Sequence, residues 1–382
     1  MKTYDVVIVG GGIIGGSIAF ELSQRKLRVA LLDRQEFMRE ASWAAAGMIS
    51  PAPDSTADLP LVPLSLASLA LYPKFIAAIE HASSVRTGYR ADGTLQALCH
   101  GDAERELSTL VALHRGLGLA CEPLSLDEAL RIQPGLGRDV RAVAVLPEEA
   151  SVRPRDLAAA VLAAAESSGA TLISGTEVVS LARDGKRCTG VKSSAGDLFS
   201  AEHIVLAAGC WTSQLPGVAP YAPTIPVRGQ MIALRNHGKP IQRVLRSERG
   251  YIVPRSRSIP QSLVIGSTLE SAGYEKRVTS GGIEHILAAV NEIVPGLAGA
   301  EIIETWCGLR PGTPDQLPIL GPTDVEGLTI ATGHYRNGIL LAPVTARLIA
   351  EWITERKTSF PWDEFSPLRF TRPLSDRSTA AS

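Results

Sequence analysis

No two cysteines in this chain are spaced as C-x-x-C. The five present, Cys99, Cys121, Cys188, Cys210 and Cys307, are odd in number and far apart. That usage argues against a disulfide framework or a zinc site and fits a reducing, cytoplasmic setting. Net charge is lacking too, with 38 basic against 39 acidic residues and a balance of -1. Nothing in that balance attracts nucleic acid or an anionic membrane, so no partner of either kind is expected. A membrane-spanning run is also missing. The first apolar stretch, 6–20, is interrupted by Gly10, Gly11, Gly12, Gly15 and Gly16, meets Glu21, and is too short to cross a bilayer. No other stretch reads as a span, and no internal repeat is visible. What is present is ordinary globular material, 382 residues of which 45% are hydrophobic and 20% charged. That is enough for a large core, and two domains are a better expectation than one.

The N-terminus carries the most specific local pattern. Residues 5–9 (DVVIV) read as a buried strand, 15–25 as a helix and 28–32 (RVALL) as a second buried strand. The turn between the first strand and the helix is Gly10-Gly11-Gly12-Ile13-Ile14-Gly15, which matches G-x-G-x-x-G. Gly10 serves a tight turn, Gly12 a close backbone approach to a pyrophosphate, and Gly15 close contact between helix and strand. The new helix offers its N–H groups and positive end to the phosphates. Asp33 closes the second strand, where a carboxylate can accept hydrogen bonds from ribose hydroxyls. Arg34 leaves two readings open: a reader of an NADP 2′-phosphate, or a solvated arginine beside an adenosine.

Further along, 51–63 is Pro- and Asp-rich and predicts an irregular loop, followed by a helix over 64–81. Ser125 is placed to cap a short helix over 126–132. Pro154 suits the first turn of an Ala-rich helix ending near Ser167. Strand-like runs follow at 171–174, 177–181 and 204–208. From 225 to 267 short strands alternate with turns, which predicts an antiparallel sheet rather than further βαβ units. A helix over 282–293, a strand over 328–332 and a helix over 339–354 complete the pattern. The fold class expected is α/β, a Rossmann-type unit plus a unit with a large, mostly antiparallel sheet. The first unit is discontinuous, taking 1–85, 146–222 and 302–364. The second takes 86–145 and 223–301, and 371–382 is a flexible tail.

Several blocks resemble the D-amino-acid-oxidase family of FAD-dependent oxidoreductases over nearly the whole chain, from Tyr4 to about Phe370. They are Ala41 to Met48, Arg153-Pro154-Arg155-Asp156-Leu157 with Gly175 to Val178, Leu206 to Trp211, Trp306 to Asp315, and Gly333 to Pro343. The resemblance implies FAD, bound without a covalent link. Beyond Gly10, Gly12, Ile13, Ile14, Gly15, Asp33 and Arg34, it places Ser42, Ala45, Ala46, Gly47, Met48, Val178, Ala207, Ala208, Gly209 and Trp211 against the cofactor. Arg310, His334, Arg336, Asn337, Gly338, Ile339 and Leu340 join them. The last helix would present N–H groups to the flavin edge that gains negative charge on reduction. Cys307 is the one residue that could challenge the non-covalent assignment.

The same resemblance implies a small amino-acid substrate held by Arg310, whose planar fork matches a carboxylate. Gly308, Pro311, Gly312 and Pro314 predict a rigid, non-helical loop around it. Tyr251 would help orient the carboxylate, Arg336 would meet substrate or product, and Leu269 would line the pocket. Each has a purely structural alternative: Arg310 paired with Asp315, Tyr251 as a half-buried sheet tyrosine, Arg336 bracing the flavin loop. The reaction implied is hydride transfer from Cα to flavin, giving an imino acid that hydrolyses, with O2 reduced to H2O2. Glycine, sarcosine, D-alanine and D-proline are the substrates implied, thiamine (thiazole) biosynthesis the pathway, and a homotetramer the assembly. Competing readings are a D-amino-acid dehydrogenase that passes electrons to a quinone, a flavin-binding assembly factor without turnover, and an NADP dehydrogenase.

Overall fold

The computed structural model describes residues 2–53, 56–235, 241–255 and 261–371. The predicted tail lies outside the described residues, apart from Thr371. Two eight-stranded sheets organise the chain. In the first, strands Leu328–Thr332, Leu198–Leu206, Lys2–Val9, Val29–Leu32 and Thr171–Ile173 lie side by side and parallel. Their side chains alternate with period two. Val6 and Ile8 pack with Ile18, Leu22, Leu157 and Leu348 from the helical layer. Val7 and Val9 face the other way, onto Ile204, Leu206, Val191 and Phe199. The C-terminal ends of these strands share one edge, where Val9 sits beside Leu206 and Leu32, and Leu32 beside Ile173. The chain leaves the central strand in one direction and returns on its other side, so a crevice opens between Gly10 and Ala207. In open α/β sheets such switch points are where ligands bind.

The second sheet runs in the order Ile302–Gly312, Ile225–Arg235, Ser262–Gly266, Tyr251–Arg255, Val244–Arg246, Thr94–Leu98, Ala142–Leu146, Glu122–Leu124. All neighbours are antiparallel except 244–246 beside 94–98. One face is covered by the helix Ser280–Ile293, whose Ile286, Val290 and Ile293 pack on Ile232, Ile252 and Ile265. The other face meets the first unit through Met231, Val253, Val264 and Trp306 against Ala44 and Ala46. The strand Ile302–Gly312, grouped above with 302–364, is hydrogen-bonded into this second sheet.

Local signals placed most helices. Ser125 and Glu128 form a reciprocal capping box at the helix Leu126–Ile132, and Pro154 occupies the first turn of Pro154–Ser167. Two readings need correction. The stretch 51–63 is not wholly irregular: a 3-10 turn spans Thr56–Leu61, and a helix runs Val62–Ser83 with Pro63 in its first turn. By length and composition Asp58–Ser83 is also apolar enough to cross a membrane, which the sequence reading missed. In this fold its apolar side is spent on the core. Leu64, Tyr72 and Ile79 are buried, and the hydroxyls of Tyr72 and Ser68 donate to the carbonyls of Ile339 and Leu340 at 2.6 and 2.5 Å. A further helix, Ala103–Gly116, capped by Asp102, had no counterpart in the sequence reading.

Candidate active site

A cavity of about 1020 Å³ lies between the switch-point edge of the first sheet and the inner face of the second. That is the upper end of the range for small-molecule sites. Every site residue expected from the sequence lines it except Gly15. Gly15 lies directly beneath, where a Cβ would strike the carbonyl oxygen of Gly10. Gly10 has φ +108°, a conformation open to glycine, and a Cβ there would collide with Ala207 backbone.

At the dinucleotide end, Asp33 accepts from the amides of Gly11 (2.7 Å) and Gln35 (3.0 Å). Burial pushes its carboxyl above the ordinary range, against the pull of those two amides and of Arg34. The Ile13 amide donates to Ser42 Oγ at 2.9 Å, so Ser42 lies against the start of the helix Ile13–Gln24. Arg34 stacks 4.1 Å from the Trp211 ring centre and pairs with Glu40 at 3.2 Å. Glu40 also takes Lys276 at 2.8 Å. A carboxylate already on the guanidinium opposes a 2′-phosphate there, which favours the solvated, adenosine-side reading of Arg34.

The flavin-side segment has its own supports. Residues 41–44 form one short helical turn, Ala45 turns extended, and Met48–Ile49 pair with Ala150–Ser151. Trp306 Nε1 donates to the Ala44 carbonyl at 3.1 Å, and Arg255 donates to Ala46 at 2.5 Å and Val152 at 3.3 Å. Burial, with Arg153 and Arg155 nearby, lowers Arg255 to about 10, and it still carries charge at neutral pH. The helix Gly338–Glu355 begins at the cavity wall, and its N-cap residue Asn337 makes no side-chain cap bond. A helix start facing the cavity suits an acceptor that gains negative charge.

His334 is fully buried, and its Nε2 meets Thr345 Oγ1 at 3.0 Å. Burial drives its pKa down to about 3, so it is neutral in the fold. In the unfolded chain it titrates near 6.5, so stability is lost as pH falls from 6.5 toward 3. At pH 5 that loss is roughly 2 kcal/mol. His334→Gln is expected to flatten the fall in melting temperature between pH 7 and pH 5. An unchanged pH slope would show that His334 is protonated in the folded state.

The substrate end is built on one transverse row of the second sheet. Gln96, Arg246, Tyr251, Gly266, Met231 and Trp306 are successive cross-strand partners and so share a face. Arg310 stands on the same face of the edge strand, opposite Val227. It is therefore on a strand rather than in the rigid loop expected, because ladder bonds to Ile225–Arg235 extend the strand to Gly312. An edge strand tolerates Pro311. Asp315 does not take Arg310; it pairs with Arg369 at 2.8 Å. The Arg310 guanidinium instead donates to Ser267 Oγ (2.7 Å) and the Thr268 carbonyl (3.2 Å). It lies over Gly229, where any Cβ would strike it. The Tyr251 hydroxyl lies over Gly266, within 2.6 Å of where a Cβ would be, and 3.4 Å from Met231 Sδ. Leu269 is 62% exposed at the mouth. Arg336 approaches Asp58 at 3.9 Å.

The sequence reading did not reach Glu40, Gly229, Met231, Arg246, Arg255 or Gly266. Gly229 and Gly266 had a local cue, each a glycine bordering a strand-like run, which marks close approach. Arg246 is held by Gln96 (2.7 Å), Ser50 (3.0 Å) and Glu149 (3.2 Å), all distant in sequence. Of the cysteines, Cys307 does not line the cavity. Cys210 does, and its thiol is pushed up to about 12 by burial and the Glu40 charge, which leaves it unreactive.

Known proteins share this fold. The chain is 35% identical to glycine oxidase of Geobacillus kaustophilus, over 97% of each sequence. The crystal structure of glycine oxidase from that organism superimposes with a TM-score of 0.90 at 34% identity, covering 97% of this chain and 99% of that one. It is 38% identical over 98% of its length to the bifunctional protein ThiO/ThiG of Trichormus variabilis, of which it spans 56%. The chain thus spans about half the length of the bifunctional relatives it matches. Residues 5–352 match the family model described as FAD dependent oxidoreductase, and the chain belongs to that family.

Proposed function

We propose that this chain is an amino-acid oxidase that deaminates glycine and comparably small amines, with O2 reduced to H2O2. The observation that carries this reading is the placement of Arg310 over Gly229 and of the Tyr251 hydroxyl over Gly266, both lining the cavity with the flavin-side segment. Arg310 holds the substrate carboxylate through its fork, and the Tyr251 hydroxyl donates to the same group. FAD, when bound, accepts the hydride from the substrate Cα. The protein's contribution is orientation, since a reacting pair held in line avoids most of the entropic cost of meeting. Arg336 meets the substrate or the product carbonyl at the flavin-loop side, and Leu269 limits the side chain that fits. FAD is held without a covalent bond, so acid precipitation should release all yellow colour into the supernatant.

By the same family resemblance we extend the reading to thiazole formation in thiamine biosynthesis, in a cytoplasmic homotetramer with sarcosine, D-alanine and D-proline as further substrates. Discrimination among these amines rests on single methyl groups, each worth about 1–3 kcal/mol in a fitted pocket. The test is oxygen uptake and peroxide formation with glycine, sarcosine, D-alanine and D-proline. Turnover only with a quinone dye would make the chain a dehydrogenase. Failure of every amine to bleach the flavin anaerobically would leave a flavin-binding assembly factor.

A further inference from the structure

Among the described residues, the Arg310 guanidinium donates its hydrogen bonds to the turn Ser267–Thr268. Its Nη atoms are set by one hydroxyl and one backbone carbonyl of that turn. The direction of the fork therefore depends on what fixes the turn. The turn follows the strand Ser262–Gly266 and precedes the helix Ser280–Ile293. Glu270 closes it. Glu270 Oε1 accepts from Thr268 Oγ1 at 2.5 Å and from Gln230 Nε2 at 2.7 Å, while Oε2 accepts from Arg228 Nε at 3.2 Å and from its Nη2 at 2.5 Å. Backbone bonds between Arg228 and Glu270 run both ways, at 2.9 and 3.0 Å. Thr268 Oγ1 in turn accepts from the Gln230 amide at 2.8 Å. Gln230 continues the chain to Thr279, the cap of the next helix, through bonds of 3.0 and 2.8 Å.

The acid does not line the cavity, although Ser267, Thr268 and Leu269 all do. Arg228, its main partner, is buried, with 7% of its side chain exposed. Burial would raise Glu270, but the bonds from Thr268, Arg228 and Gln230 outweigh it and hold the group ionised. Both carboxylate oxygens are thus committed to fixing one turn. A neutral or shorter side chain keeps the backbone bonds to Arg228 but loses the bonds that fix the Thr268 side chain, so Ser267 Oγ and the Thr268 carbonyl can shift.

We infer that Glu270 is a positioning residue for carboxylate recognition, acting on Arg310 through Thr268 and Ser267. This rests on the amino-acid oxidase reading in one respect, that Arg310 meets a carboxylate. Charge-assisted bonds of this kind fix geometry more strongly than neutral ones. Losing them relaxes an orientation rather than deleting the ligand contact, so the effect is smaller than that of deleting Arg310.

The experiment titrates the intact holoenzyme with acetate, followed by perturbation of the flavin absorbance, beside KM and kcat for the best amine. Glu270→Ala is expected to weaken acetate and raise KM by about tenfold, with kcat changed less than about threefold. Glu270→Gln, which accepts from Thr268 or Arg228 but not both, should fall between. Thr268→Val removes the linking hydroxyl without removing the carbonyl that binds Arg310, and it provides the measurement if Glu270→Ala does not fold. It should reproduce most of the loss, and the double variant should show less than the product of the single effects. Variants that melt earlier yet bind acetate as the parent does would make the role purely structural and overturn the inference alone. A parent holoenzyme that binds no acetate and is reduced by no amine overturns it together with the reading it rests on.

Discussion

Arg310→Ala is expected to lower kcat/KM for a small amino acid by about a thousandfold, equivalent to about 4 kcal/mol. The magnitude follows from what the side chain does and where it sits. It is half-buried on the inner face of the second sheet, and a substrate carboxylate placed there leaves water to meet it. Truncation removes the charge, the fork and the direction of binding together. Most of the loss should appear in KM if Arg310 grips substrate and transition state equally, and a fall in kcat would report lost orientation over the flavin. Arg310→Lys keeps the charge but not the paired donors, and should recover only part of the loss. FAD should still bind, because the pyrophosphate end of the cavity lies on the other sheet. A variant with unaltered kcat/KM would place the substrate carboxylate elsewhere.

The contrast between what the sequence disclosed and what it hid follows the range of the interactions. The glycine turn was legible because its causes are local: Gly10 needs its φ, and Gly15 must clear the carbonyl five residues earlier. Helix starts at Ser125 and Pro154 were legible for the same reason. Arg310 was legible only by resemblance, and its surroundings were misread as a loop. Glycine and proline spoke for a turn, but pairing with a strand about eighty residues away decided otherwise. The acids that matter were hidden. Glu40 sits on Arg34 and Lys276, Glu149 on Arg246, and Glu270 on Arg228. Apart from Glu40 on Arg34, each joins positions that only the folded topology brings together. Membership of the family and the shape of the cavity are thus set by different parts of the chain. Short-range glycine chemistry makes the cofactor edge, and long-range sheet pairing makes the carboxylate end.

Two glycine variants separate folding from cofactor binding at the turn. Gly15→Ala places a methyl group against the Gly10 carbonyl, with the Leu31 side chain 3.3 Å away. The first obstacle is backbone, which cannot swing aside as a side chain does, so helix and strand must part. Overpacking of that kind costs about 1–3 kcal/mol of stability. It also moves the amides of the turn, and losing two charge-assisted bonds to a pyrophosphate weakens binding by about a hundredfold or more. The protein should purify nearly colourless, with a lowered melting temperature even before FAD is considered. Gly12→Ala differs in kind. A Cβ there meets only Ser42 Oγ, at 3.3 Å, and a shift of a few tenths of an ångström relieves the contact while Ser42 keeps its bond from the Ile13 amide. The apoprotein should melt as the parent does, while the new methyl group occupies the approach to the pyrophosphate and FAD binding falls. Apoprotein melting curves and FAD titration of both variants read the two effects independently. Parent-like FAD affinity in Gly12→Ala would move the pyrophosphate away from this turn, whatever Gly15→Ala does.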